Sequence, residues 1–485
     1  MGITNDFGSD VNDVNDKPIN ETFVQARADP LGRRARVDAG VRLASVSALW
    51  LSLLLVTYWW ETDRGVQDLA GWATGLTSVG RLSGLLASVL LLAQVVLMAR
   101  VPPLERAFGQ DRLARLHRLV GFTSFTLMVF HVVTITWGYA AGRLLATPAM
   151  LWQLTVDYPG MLLAAAGTLC LFLVVFTSIK AARRRLRYES WHLLHLYAYL
   201  GVGLALPHQL WTGQQFVGST AKTVFWWTTW ALAAAAVLVW RVGQPLLLNL
   251  RHRVRVSSVV DEGAGIWSVY LTGHRLDELR VEAGQFFTWR FLSGPGWTRA
   301  NPYSLSAAPD GRSLRITIQG VGDGSVATRG LRPGTRAVVE GPYGRLTARP
   351  RTRRKVALIG AGVGITPLRA LAEGLPYAPG EAILVERFGR QPLFAPEVDR
   401  LSRERGLQVL RLPGRRRHPG SWLGDGLGDG MRRIDDLGAL THWVPDVAER
   451  DVYLCGPEPW TALVRRTLEA AGLPPAQIHL ETFAW

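Results

Sequence analysis

The chain has 485 residues, enough for about three domains, and 48% of them are hydrophobic. Its only two cysteines, Cys170 and Cys455, exclude a disulfide framework and a thiolate zinc site. The formal charge of +16 does not mark a nucleic-acid partner, because the arginines gather beside apolar stretches, where the positive-inside rule places cytoplasmic loops.

Residues 1–40 begin polar and acidic and turn basic at Arg33, Arg34 and Arg36. Lacking an apolar core, they read as a flexible cytoplasmic N-terminal tail with no cleavable signal peptide. Residues 41–245 read as a membrane domain. Six apolar stretches, roughly 41–60, 74–99, 113–139, 160–180, 190–210 and 222–241, approach the ~20 residues that a bilayer requires. The link between the second and third carries Arg100, Arg106, Arg112 and Arg115. The link between the fourth and fifth carries Lys180, Arg183, Arg184, Arg185 and Arg187. The opposite loops hold only Arg64, Arg143 and Lys222, so both termini are placed in the cytoplasm of a multi-pass membrane protein.

The third and fifth spans carry the chemistry. His117 and His131 lie fourteen residues apart on one, His195 and His208 thirteen apart on the other. An intramembrane histidine is costly and usually functional. Paired at matched depths, four of them suit the bis-His ligation of two b-type haems, an inner one (His117, His195) and an outer one (His131, His208). Fourteen residues advance about 21 Å and end roughly 40° short of four turns, so the first pair shares a helix face. Thirteen residues leave the second pair roughly 140° out of phase, which predicts a kink or π-bulge near Pro207, Gly201 or Gly203. His192 is a rival ligand with no better phase. A lone core histidine is the bland alternative, which four matched ones disfavour. Arg81, inside the second span, is expensive against lipid and is read as a haem-propionate partner or an interfacial residue.

From about 250 to 348 the pattern changes to short alternating strands at 253–260, 266–273, 285–292, 313–319 and 336–342, which suits a small antiparallel barrel. From about 353 to 485 strands at 355–360, 381–388, 407–412, 451–455 and 478–483 alternate with helices, the pattern of a parallel α/β sheet. Gly360, Gly362, Gly364, Thr366 and Pro367 fall in the turn between the first of these strands and a helix. Glycines there let backbone amides approach a phosphate at a helix N-terminus. Cys455, Gly456 and Pro457 end a later strand, where such sheets open their nucleotide crevice.

Asn301-Pro302-Tyr303-Ser304, Gly341-Pro342-Tyr343-Gly344, the Gly360–Pro367 turn and Cys455-Gly456-Pro457 follow one another in ferredoxin-reductase order. Joined to six spans with paired histidines, the chain resembles the ferric reductase/NADPH oxidase superfamily, and within it the prokaryotic NADPH-oxidase-like members. The resemblance covers about residues 41–485. It implies a six-helix transmembrane haem bundle, then an antiparallel β-barrel flavin domain and a parallel α/β nicotinamide domain of ferredoxin-reductase type. It further implies that Tyr303 and Ser304 flank the ring of FAD, with Ser304 near its reactive nitrogen. Gly322, Asp323, Gly324 and Ser325 resemble the flavin-pyrophosphate loop. Thr366 and Cys455 border the hydride path, and Trp485, in an acidic–aromatic tail from Glu481, stacks on the flavin until nicotinamide displaces it. Phe483 reads as core packing.

Two departures from the family pattern stand out. Asn301 occupies the position where an Arg or His is usual, leaving Arg299 to supply the charge. Glu386 ends the second α/β strand next to Arg387. The acid suits the ribose hydroxyls of NADH, whereas Arg387, with Arg415 and Arg416 after the next strand, suits the 2′-phosphate of NADPH. A solvated basic loop is the alternative for Arg415 and Arg416.

The resemblance implies transmembrane electron transfer from cytosolic NADPH through FAD and two haems to a small-molecule acceptor outside. Oxygen, giving superoxide, is the first reading and a ferric chelate the second. A haem-binding subunit serving a protein partner and a nucleotide-regulated transporter are the rivals from other classes. No calcium loop or SH3-like module is evident, so no obligatory regulatory subunit is expected.

Overall fold

The computed structural model describes residues 32–179, 188–213, 219–294, 297–428, 430 and 433–482. Val37–Leu247 form one compact unit, and the chain from Leu248 onward belongs to a second.

The first unit is helical. Its long helices are α1 (Arg33–Thr62), α2 (Trp72–Met98), α3 (Gln110–Tyr139), α4 (Met161–Ser178), α5 (Tyr188–Trp211) and α6 (Thr220–Ala236). A π-helical stretch, Val237–Gly243, and a last α-helical stretch, Gln244–His252, continue α6. Among the described residues five helices are long and apolar enough to cross a membrane: α1 to α4, and α6 with its continuation. The 24-residue α5, which carries the second histidine pair, is not one of those five. The outward faces are apolar, with Leu51, Leu119, Leu169 and Leu232 all exposed, as a lipid-facing surface requires.

Small residues bring the helices together. A Cβ on Gly80 or Gly84 of α2 would collide with α3 side chains, and one on Gly138 of α3 would collide with Thr77 and the α2 backbone. Gly167 of α4 and Gly201 of α5 each face the other's carbonyl at under 3 Å from an added Cβ. Such close approach is how helices associate where lipid removes the hydrophobic driving force.

Two local expectations are corrected. The first helix begins at Arg33, not at 41, so the basic end of the tail continues the helical register. Helix α5 runs through Pro207 with no π segment; the π turn lies in the sixth helix instead. Proline removes one amide donor but does not by itself change the helix class.

The second unit contains eleven strands among its described residues. Strands β1 (Arg255–Gly263), β2 (Ile266–Thr272) and β5 (Ser313–Gln319) form one antiparallel sheet, in the order β1-β2-β5. Strands β3 (Phe286–Phe291), β4 (Asn301–Ser304) and β6 (Ala337–Tyr343) form another, in the order β4-β3-β6. Single bridges, Arg255 to Arg336 and Leu305 to Ile316, join the two sheets around one core that includes Trp267, Phe287, Trp289 and Ile316. The closed barrel expected from the alternation is therefore two three-stranded sheets linked by isolated bridges.

Strands β7 (Lys355–Ala361), β8 (Ala382–Arg387), β9 (Gln408–Leu412), β10 (Arg450–Gly456) and β11 (Ile478–Thr482) form a parallel sheet in the order β11-β10-β7-β8-β9. Chain order reverses between β7 and β10, which makes their carboxyl ends the crevice of the sheet. Apolar clusters cover both faces. The two parts of this unit meet through buried ions. Arg315 of β5 grips Glu397 at 2.7 and 2.9 Å. Arg369 reaches the same carboxylate at 2.6 Å and the Ser306 carbonyl at 3.2 Å.

Candidate redox centres

Each of the four histidines directs Nδ1 to a hydrogen-bond partner. His117 Nδ1 donates to the Gln94 carbonyl at 3.2 Å, and His131 Nδ1 to the Gly80 carbonyl at 2.7 Å. Both acceptors lie on α2, so His117 and His131 share the face that the fourteen-residue spacing predicts. A carbonyl accepts only, which places the proton on Nδ1 and the lone pair on Nε2. The same holds for His208. Thr212 Oγ1 spends its hydrogen on the His208 carbonyl at 2.7 Å, so it accepts from His208 Nδ1, also at 2.7 Å. Ser178 Oγ likewise donates to Val174 O at 2.7 Å and faces His195 Nδ1 at 3.4 Å.

Across helices, the inner candidates approach one another. The rings of His117 and His195 have centroids 6.0 Å apart. A metal bonded at about 2 Å to a nitrogen of each of two opposed imidazoles separates their centroids by about that distance. His208 lies within electrostatic reach of His131. Gly84 makes room for the outer ring, since a Cβ there would stand 2.6 Å from His131 Nδ1. No group of three or more metal-binding side chains occurs among the described residues. The His192 side chain lies outside the described residues. Arg81 pairs with Asp68 at 2.5 Å.

In the second unit, β4 pairs with β3 and places Ser304 opposite Phe286. Its hydroxyl is buried without a hydrogen-bond partner, a costly state that a bound polar ligand would relieve. Tyr303 sits opposite Phe287, and burial pushes its phenol up to about 12. Beyond Pro302, Asn301 and Arg299 border Gly324, whose added Cβ would lie 3.6 Å from Asn301 Oδ1 and 3.7 Å from Arg299 Cδ. The turn holding Gly322, Asp323, Gly324 and Ser325 is closed by Ser325 Oγ, which accepts from the Gly322 amide at 3.0 Å. The expected phosphate-loop residues and Arg299 are thus brought together.

At the sheet crevice, Gly360 is the next-to-last residue of β7, where a Cβ would strike Leu368. Gly362 has φ +57° and open space beside it, so backbone conformation selects its glycine. Gly364 presses on the Cys455 carbonyl, 2.5 Å from an added Cβ. Thr366 and Pro367 are buried in the first turn of the following helix, with Thr366 Oγ1 donating to Val363 O at 2.9 Å. Gly456 packs under Trp460, and Pro457 precedes the next helix. The Cys455 thiol is fully buried, and burial followed by the nearby Glu481 pushes it well above the ordinary thiol range, so it stays protonated.

Glu386 and Arg387 end β8. The Glu386 carboxylate accepts from the Leu393 amide at 2.9 Å through Oε1, while Oε2 is buried without a partner. Burial pushes this carboxyl up to about 7. Arg387 lies within electrostatic reach of Arg416 and Asp425. Arg415 is exposed, and its carbonyl accepts from the Asp425 amide at 2.8 Å. At the far end of the sheet, Glu481 Oε1 accepts from the Arg345 amide at 3.3 Å, beside Gly344. Trp485 and Phe483 lie outside the described residues.

Sequence reasoning missed Gly84, whose role depends on a ring 47 positions away, and the orphan state of the Ser304 hydroxyl, which local pattern does not encode.

Residues 83–206 match the family described as ferric reductase like transmembrane component. The glycine betaine monooxygenase reductase subunit of Chromohalobacter salexigens is 28% identical over 249 residues, 48% of this chain and 65% of that protein. A flavohemoprotein of Xylella fastidiosa is 29% identical over 42% of this chain and 51% of its own length. The match thus spans between about half and two thirds of these relatives. The flavohem-like FAD/NAD-binding domain of a Vibrio cholerae nitric oxide dioxygenase is 24% identical, with a TM-score of 0.36, over 48% of this chain and 99% of that one. Together the two kinds of match are consistent with the ferric reductase/NADPH oxidase-like superfamily. A helical unit whose residues 83–206 match the ferric-reductase-like family thus precedes a unit similar in sequence to a monooxygenase reductase subunit and a flavohemoprotein.

Proposed function

We propose that this protein moves electrons from cytosolic NADPH through FAD and two b-type haems to an acceptor on the other side of the membrane, with oxygen as the first acceptor and superoxide as its product. The observation that carries the reading is the common orientation of the four histidines, each with Nδ1 turned to a carbonyl or hydroxyl oxygen. This orientation turns Nε2 toward a ligand. His117 with His195 would hold the inner haem, and His131 with His208 the outer one. Six spans, with α5 as the fifth, put both termini on the arginine-rich cytoplasmic side. The exposed-side cations are few, and Lys222 and Arg81 are matched by Asp63 and Asp68.

Residues 250–348 would bind FAD. Arg299 and Asn301, with Pro302 shaping the strand, face the Gly322, Asp323, Gly324 and Ser325 turn, where a pyrophosphate would sit. Tyr303 would flank the ring, and the partnerless Ser304 hydroxyl would donate to its reactive nitrogen. Residues 353–485 would bind NADPH, with Gly360, Gly362, Gly364, Thr366 and Pro367 around the phosphates and Cys455, Gly456 and Pro457 beside the nicotinamide. The protonated Cys455 thiol would pack there; it would not act as a nucleophile. Arg387, with Arg416 beside it and Arg415 adjacent in sequence, would take the 2′-phosphate. NADH remains the alternative through Glu386. Trp485 is assigned to the flavin face from which nicotinamide displaces it.

When bound, the flavin and haems supply the conversion of a two-electron hydride into single electrons, and the protein sets distance and orientation. His131 and His208 would both be taken up in holding the outer haem, which would supply single electrons to the acceptor. A ferric chelate is the second acceptor, favoured by the ferric-reductase match over residues 83–206.

The test is to reduce the purified protein with NADPH without oxygen, admit air, and follow the haem band. Rapid reoxidation with superoxide formation is the expected result. Slow reoxidation in air with rapid reoxidation by ferric chelate would replace oxygen as the acceptor, and a missing haem band would overturn the pathway.

A further inference from the structure

Gln209 directly follows the outer ligand candidate His208 on α5 and is only 9% exposed. Its amide is engaged at both ends. Oε1 accepts from Trp230 Nε1 of α6 at 3.1 Å, and Nε2 donates to Ser88 Oγ of α2 at 3.1 Å. Ser88 Oγ in turn donates to the Gly84 carbonyl at 2.9 Å. These contacts fix which way the amide points. An indole nitrogen only donates, so it requires Oε1; Ser88 has spent its hydrogen on Gly84, so it requires a donor, Nε2. The result is one directed chain, Trp230 to Gln209 to Ser88 to Gly84. It ends on the glycine against which the His131 ring rests.

We infer that Gln209 is the positioning residue of the outer histidine pair. Its amide fixes the rotation of α5 and the spacing from α2, so that His208 and His131 face one another. Both outer histidines are reached by the same chain: His208 as the sequence neighbour of Gln209, His131 through Gly84. All four rings are also held at Nδ1, His117 and His131 by the Gln94 and Gly80 carbonyls and His195 and His208 by Ser178 and Thr212; the Gln209 chain is a further contact at the outer pair. A polar side chain buried among apolar helices is expensive unless fully partnered, so an amide engaged at both ends is a specific contact. This inference rests on the bis-His haem reading.

The experiment is a redox titration and low-temperature electron paramagnetic resonance spectrum of the full-length haem-loaded protein, comparing wild type with Gln209→Leu. Leucine keeps the volume and removes both bonds. The expected result is a shifted or broadened outer-haem signal and roughly tenfold weaker outer-haem retention, corresponding to about 1.4 kcal/mol. The inner-haem signal stays unchanged and serves as the internal control for folding. Trp230→Phe, which removes one bond and keeps a ring, is the second variant and should shift the same signal less. Unchanged outer signals in both variants, or equal changes at both haems, would overturn the inference. Absence of two haems from the wild type would instead remove the reading beneath it, and this inference with that reading.

Discussion

The membrane unit and the soluble unit solve the same problem, holding reactive groups still, with opposite chemistry. Between the helices the groups are neutral. Imidazoles are set by single bonds to carbonyls and hydroxyls, and glycines clear the space beside them. In the soluble unit the groups are charged and buried in clusters. Arg315 and Arg369 share Glu397, and burial, which opposes the Glu397 charge, is outweighed by Arg369 and Arg315, so its carboxyl is held below the usual range. An unpaired charge costs several kcal/mol in either place; the helical unit matches its charges in pairs such as Lys222 with Asp63 and Arg81 with Asp68, the second unit in a shared cluster. The helices are therefore held in place by close packing, and the two parts of the second unit by shared ion pairs.

This contrast orders the expected effects. His131→Ala or His208→Ala should abolish outer-haem binding and transmembrane turnover while NADPH still reduces the flavin; stopped-flow spectra of flavin and haem bands check it, and normal turnover in both variants would break the contrast. Glu397→Ala leaves two buried guanidiniums without their shared carboxylate. It should cost about 3–5 kcal/mol of soluble-unit stability by denaturant titration, with the haem spectrum untouched.

The third prediction concerns pH. Glu386 has a folded value of about 7 against an ordinary 4.5. Its contribution is fully present below about 4.5 and is lost as pH rises through about 7. Between pH 4.5 and 8 the unit should lose up to about 3 kcal/mol from this group, and Glu386→Gln should flatten that part of the profile. Smaller again, Arg387→Ala should lower the preference for NADPH over NADH roughly tenfold in kcat/KM, as expected from losing one charge-assisted contact of about 1.5 kcal/mol. Ser304→Ala should slow flavin reduction by a few-fold to roughly tenfold, the effect of about 1 kcal/mol from a single hydrogen bond.

The features legible in the sequence were those whose signal is local. Fourteen-residue spacing put His117 and His131 on one face because helix periodicity alone decides it. The parallel strands stood out as continuous apolar runs such as Val356–Ile359 and Ile383–Val385, buried on both faces. Strand β4 was invisible because it is four residues long and contains Pro302. Of the kink or π-bulge expected near Pro207, Gly201 or Gly203, the π form lies in the sixth helix instead, since a proline signal says where an amide is missing and not how neighbouring helices accommodate it. Gln209 and Ser88 are 121 residues apart, and Arg315 and Glu397 are 82 apart; pairings of that reach depend on the finished packing.

The central claim is tested most directly by counting haem against chain in the purified protein and recording its ligation by low-temperature electron paramagnetic resonance. The account predicts two low-spin, bis-histidine haems per chain, with one signal lost in His208→Ala. A single haem, or a high-spin iron with an open position, would contradict it.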